Sequence, residues 1–247
     1  MMARPVPGFF FPVAAILLLA AVAAPIIAVL VTLSPAEVGR AFSEPQALSA
    51  LRVSFEASLC ATGVAAVLGV PAGYWLARAP RVYSIPLLFV LALPLAFPPV
   101  ASGILLLSVL HGTPIPDSLA GVAVAEFFVS GSFVAIASSA AFGAADPIYE
   151  EAARTLGVSE WRIFLAIALP AAAGSVLAGI AFAWLRAIGE YGATSVLAYH
   201  PSSLPVALYV ALSASGVRAA LALTYGFVVL AAIVVAIAWI LRRRVVE

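Results

Sequence analysis

The chain has 247 residues, 65% hydrophobic and 9% charged, with a formal net charge of +1. A soluble domain carries roughly 25% charged residues, and the mean hydropathy of +1.18 leaves too little polar surface for a water-soluble globule, so lipid is the expected solvent. There is no lysine, which excludes a P-loop ATPase or a Schiff-base enzyme, and no basic face that would bind nucleic acid.

In chain order, six apolar runs are long enough to span a bilayer, at 9–33, 52–77, 84–110, 119–143, 171–197 and 218–241. Lipid forces the backbone to satisfy its own hydrogen bonds, so each is expected to be helical. The first run, with Arg4 before it and Ala21-Val22-Ala23 inside it, could pass for a secretion signal. It continues to Leu33 past Pro25, which favours a retained helix. The stretch 34–51 is expected outside the membrane and has room for a short surface helix. Cys60 stands alone in an apolar run and reads as a small buried hydrophobe. Pro and Gly interrupt the third and fourth runs. The stretches 111–118 and 198–217 read as short external loops rich in Pro, Gly and Ser. His111 and His200 are too far apart to suggest a metal site, and no metal or cofactor is expected.

Arginines set the orientation. With the N-terminus inside, Arg4, Arg78, Arg81, Arg154, Arg162, Arg242, Arg243 and Arg244 are cytoplasmic, against Arg40, Arg52 and Arg218 outside. That bias predicts both termini and the 146–170 loop on the cytoplasmic side.

The 146–170 loop, between the fourth and fifth runs, is polar and amphipathic. Asp146-Pro147 suits a helix start, with Glu150 and Glu151 near the positive end of the dipole. Ile148, Ala152, Thr155 and Leu156 fall on one stripe. Gly157 suits a left-handed stop, and Ser159 can cap a second short helix carrying Trp161, Phe164, Leu165 and Ala168. Pro170 disfavours helix at Leu169 and predicts a bend before the fifth run. Two short helices at a sharp angle would make a knob able to dock in a groove of another protein. The plainer reading is an amphipathic helix lying on lipid.

Charges inside the spans are few. Arg186 and Glu190 are four apart and share a helix face, as a structural pair or beside a water-filled path. Gly189 and Gly192 would let helices approach closely, as would Gly69 and Gly73. Thr194 and Ser195 could meet a passing anion or bond back to their own helix. Glu56 should reach the interface, and Glu126 has no evident partner.

Several segments carry a family resemblance. Residues 151–170 fit E-A-A-x3-G-x9-I-x-L-P at Glu151, Ala152, Ala153, Gly157, Ile167, Leu169 and Pro170. This resembles the cytoplasmic coupling loop of binding-protein-dependent ABC importer permeases. PAGYWLAR at 71–78, LPLAFPPVASGILLL at 93–107, WLRAIGEYGATSVLAY at 184–199 and LPVALYVAL at 204–212 resemble the molybdate, tungstate and sulfate branch. Ala193-Thr194 leans toward molybdate or tungstate. Three stretches depart from that branch: HGTPIPDS, Gly131 with Ser138-Ser139, and His200-Pro201.

The resemblance implies an all-α membrane permease, a single domain over 1–247 with its core at 52–241, lying in the plasma or inner membrane. Glu151, Ala152, Ala153 and Gly157 would contact a separate ATPase, with Arg154 and Glu150 adding ion pairs at the rim. Two ATPase copies, a substrate-binding protein and a second permease copy, identical or homologous, would complete the importer. Other readings are a sulfate, phosphate or thiamine importer, a gradient-driven secondary transporter, and a membrane-embedded enzyme. The last would need a convergent site that Glu126, Glu190 and the histidines are too scattered to form.

Overall fold

The computed structural model describes the backbone of residues 10–246 and the side chains of residues 10–240. Arg4 lies outside the described residues, as do the side chains of Arg242, Arg243 and Arg244. Among the described residues there are helices and connecting turns but no strand. Among the described residues, five helices are long and apolar enough to cross a membrane, or six if one bent pair counts as a span.

Helix α1 (Phe10–Thr32) buries no residue against the body. Its C-terminal end is tethered where the Tyr225 hydroxyl donates to the carbonyls of Val29 (3.0 Å) and Leu30 (2.7 Å). Helix α2 (Pro35–Ser43) is the short surface helix expected in the 34–51 stretch. It starts with a reciprocal cap: Ser34 Oγ accepts from Glu37 N–H, and Glu37 accepts from Ser34 N–H. Helix α3 (Pro45–Arg78) begins earlier than the run that predicted it, because Pro45 suits a first helical turn.

Helices α3 and α6 (Leu119–Gly143) form the spine. A Cβ on Gly69 would lie 3.0 Å from Val134, and one on Gly73 would lie 2.5 Å from Ser138 Cβ and 2.7 Å from Ser139 N. Both contacts advance by four residues, so the two helices run parallel, and only a missing side chain lets their backbones come this close. Ala65, Val70, Phe142, Phe164, Ala172 and Val176 form the core between α3, α6 and the fifth run.

The structure corrects four expectations. The third run is no straight span: α4 (Arg81–Ala96) and α5 (Pro99–Leu110) meet at 107°, where Pro98 and Pro99 supply no N–H donors. The 198–217 stretch is no simple loop, since it carries α11 (Leu204–Ser215) before α12 (Val217–Val246). Cys60 is exposed. It shares an outward stripe of α3 with Leu59, Gly63, Val64, Val67 and Leu68, and apolar side chains gain nothing by leaving a lipid-facing surface. Pro170 makes no break. Helix α8 (Glu160–Ile163) passes through a π turn at Phe164–Ala168 into α9 (Leu169–Ile188). There the Leu169 N–H reaches back to Phe164 O, a wider turn that absorbs the proline next to it.

Candidate functional site

Two regions gather the polar residues singled out above. The first is the 146–170 loop. Helix α7 (Ile148–Thr155) has Pro147 as its cap residue, one place later than expected. Asp146 still serves the start, accepting from Ile148 N–H at 3.0 Å. The stop is as read: Gly157 has φ +74°, its N–H donates to Arg154 O (3.0 Å), and Val158 N–H donates to Ala153 O (3.1 Å). This pair of bonds closes the helix end only around a left-handed residue. Ser159 lies in extended conformation before α8, but its side chain makes no cap hydrogen bond. The second short helix is the N-terminal end of the fifth span, which runs unbroken over Glu160–Ile188, rather than a free element.

The outer face of α7 is apolar and open. Ile148, Tyr149 and Leu156 are exposed, Leu156 at 82%, and Glu151, Ala152 and Gly157 lie beside them. Ala153 is buried and roots the helix.

Glu150 is not at the rim. It is 2% exposed and held from three sides. Arg78 grips it with a two-toothed fork, Nη2 to Oε1 at 2.6 Å and Nε to Oε2 at 3.0 Å. The Tyr74 hydroxyl donates to Oε2 at 3.0 Å, and Arg154 approaches at 3.5 Å. Arg154 makes its own fork to Glu160 at 2.7 and 3.1 Å and donates to Tyr74 at 3.3 Å. The Arg78 hydrogen bond holds the Glu150 carboxyl below the usual carboxylate range against the opposing effect of burial. Arg78 Nη1 also donates to Phe142 O, in the last turn of α6 (3.0 Å). Beneath this network Tyr74, Phe142 and Phe164 stack edge and tilt, with Trp161 beside Phe164 at 5.4 Å. By sequence Arg78 marks only the topology and Tyr74 carries no signal of its own, although both lie in the PAGYWLAR segment.

The second region is the break in the fifth run. Helix α9 ends at Ile188, and α10 (Gly192–Leu197) follows after a turn. Glu190 is 1% exposed and pairs with Arg186 at 2.6 Å. Its other oxygen accepts from Ala193 N–H at 3.0 Å, at the start of α10. Gly192 is needed for packing, since a Cβ there would lie 2.5 Å from Pro99 Cβ. Gly189 is exposed and meets no other helix, so it serves the turn and not a close contact. Arg186, Glu190, Gly189, Gly192, Pro99 and Val100 line a pocket of about 520 Å³. Ser195 bonds back to Gly192 O at 3.0 Å, while the buried Thr194 hydroxyl has no partner. Glu126 is fully buried with neither oxygen hydrogen-bonded. Glu56 sits at the surface and pairs with Arg52 at 2.7 Å. Among the described residues no cluster could hold a metal.

A membrane bundle with one broken helix pair and an exposed helix in the loop between two spans is an architecture that a transport permease can use. Residues 69–247 match the family described as binding-protein-dependent transport system inner membrane component, and the chain belongs to it. It is a multi-pass permease subunit of an ABC importer and not itself the catalytic subunit; the family works with ATPase and binding-protein partners.

Among curated relatives, a "Probable molybdenum ABC transporter permease protein" of Haloferax volcanii is 37% identical, over 79% of this chain and 76% of that protein. The molybdate/tungstate transport system permease protein WtpB of Thermococcus kodakarensis is 36% identical, over 71% of each. The same fold occurs in the inward-facing MetNI methionine ABC transporter, with a TM-score of 0.69 at 15% identity, covering 81% of this chain and 96% of that one.

Proposed function

We propose that this permease carries a tetrahedral oxyanion of the molybdate or tungstate kind, delivered by an external binding protein. The observation that carries this reading is the 37% and 36% identity, over 79% and 71% of the chain, to two relatives bearing those cargo names, together with the resemblance of the GEYGAT stretch to that branch. The Arg186–Glu190 pair at the break has little net charge, which suits a path that passes an anion on rather than holding it tightly.

The exposed face of α7 is the docking surface for the ATPase. Leu156 and Tyr149 supply apolar contact there, and Glu151 is free to meet a cation. A permease with one such helix serves one ATPase, so two copies joined about a two-fold axis, and two ATPases, complete the assembly. Both termini and α7 lie on the cytoplasmic side. ATP binding draws the ATPases together, the α7 helices follow, and the path switches from inward- to outward-facing.

The test is uptake into liposomes holding permease, ATPase and binding protein. Labelled molybdate should accumulate only with ATP and be displaced by tungstate, with sulfate far weaker. Uptake of sulfate in preference to both would move the cargo assignment, and uptake driven by an ion gradient without ATP would refute the mechanism.

A further inference from the structure

We propose that Arg78 and Glu150 form the joint that carries movement of α7 into the α3–α6 spine, and that Glu150 is a positioning residue, not part of the surface that meets the ATPase. This rests on the docking role given to α7 above.

The burial pattern separates the two jobs. Helix α7 buries only Glu150 and Ala153, so its hold on the body is chiefly polar. Of the residues facing out, Ile148, Tyr149, Glu151, Ala152 and Leu156 make no side-chain bond to the network, while Arg154, exposed as well, belongs to it. Within the network, a single guanidinium grips Glu150 on α7 and Phe142 O at the end of α6, from a stem in the last turn of α3. Tyr74, one turn earlier on α3, grips the same carboxylate. The Arg154–Glu160 fork closes the other side, onto the N-terminal end of the fifth span. A planar fork resists rotation as well as separation, which a single point contact does not. The close, parallel contacts of Gly69 with Val134 and of Gly73 with Ser138 and Ser139 then make α3 and α6 move as one unit. A push on α7 therefore reaches two spans through one arginine.

The experiment uses the full importer in liposomes, read three ways: ATPase retained by the permease, ATP hydrolysed, and substrate taken up per ATP. Arg78→Lys keeps the charge and loses the fork. The double variant Arg78→Met with Glu150→Leu replaces the pair with apolar volume, which folded interiors tolerate, so a folded protein is available even if single truncations fail. Both should retain the ATPase and hydrolyse ATP, while uptake per ATP falls at least tenfold. Lysine should recover part of the loss relative to the apolar pair. Wild-type uptake per ATP in the double variant overturns the proposal, as does loss of ATPase retention in Arg78→Lys, which would put the pair in the docking surface. Leu156→Asp serves as the control for the docking role. If it keeps the ATPase bound, that reading fails, whatever the Arg78 variants do.

Discussion

Glu150 and Glu151 are adjacent in the chain and opposite in environment. The first is clamped by Arg78 at 2.6 Å and nearly sealed; the second is exposed. One residue, about 100° of helix rotation, thus separates an inward anchor from an outward contact, and the two acids should respond differently to substitution.

The left-handed stop at Gly157 is testable directly. Alanine there costs about 1–2 kcal/mol of local strain. Proline is incompatible with φ +74° and removes the N–H that closes on Arg154. We expect Gly157→Pro to insert at normal levels while uptake per ATP falls at least tenfold. Wild-type uptake would count heavily against a docking role for this loop.

The spine contact predicts a steric cost. A Cβ at Gly73 would meet Ser138 Cβ at 2.5 Å and backbone at 2.7 Å, so there is no flexible atom to move aside. Gly73→Val should destabilise the folded subunit by about 1–3 kcal/mol. Melting in detergent reports it. Gly63→Val, with nothing within 4 Å, should leave the melting temperature unchanged.

Glu190→Gln keeps an acceptor for Ala193 N–H but cancels the charge that Arg186 meets at 2.6 Å. Breaking a fully buried pair costs about 3–5 kcal/mol. Arg186 is 39% exposed, and solvent screening lowers the expectation to about 1–3 kcal/mol. A double-mutant cycle with Arg186→Gln measures the coupling. Full stability and full transport in Glu190→Gln would remove both roles considered for the pair.

Acid should weaken the cap of α2. Bonds from Ser34 and Arg218 hold Glu37 down at about 2, from an ordinary 4.5. A lowered folded value means its stabilisation is present above 4.5 and fades as pH falls from there toward 2. Wild type should melt higher than Glu37→Gln at pH 6, and the two curves should converge by about pH 2. Parallel curves across that range would show that the cap contributes nothing.

The sequence read well where one local rule decides the outcome. The run 119–143 is α6 to the residue, because lipid fixes both its length and its composition. Gly157 was readable as a stop, since only one backbone conformation closes that helix end. Other features escaped for physical reasons. Cys60 was misplaced because inside and outside are equally apolar in lipid, so hydrophobicity carries no facing signal. Helix α11 is too short to span a bilayer and was merged with its flanking loops. The Arg78–Glu150 clamp joins residues 72 positions apart, and no local pattern reports a contact at that separation.

The π turn at Phe164–Ala168 sets a phase angle. Each residue of an α-helix advances the azimuth by about 100°, and a π turn spends one more residue than an α turn over the same stretch. Everything on its N-terminal side, Trp161 and Glu160 included, is dialled round by that increment relative to α9. Excising one residue from Leu165–Ile167 would restore regular winding and swing Glu160 away from Arg154, so the azimuth of the helix start is written in the winding of the span that follows it.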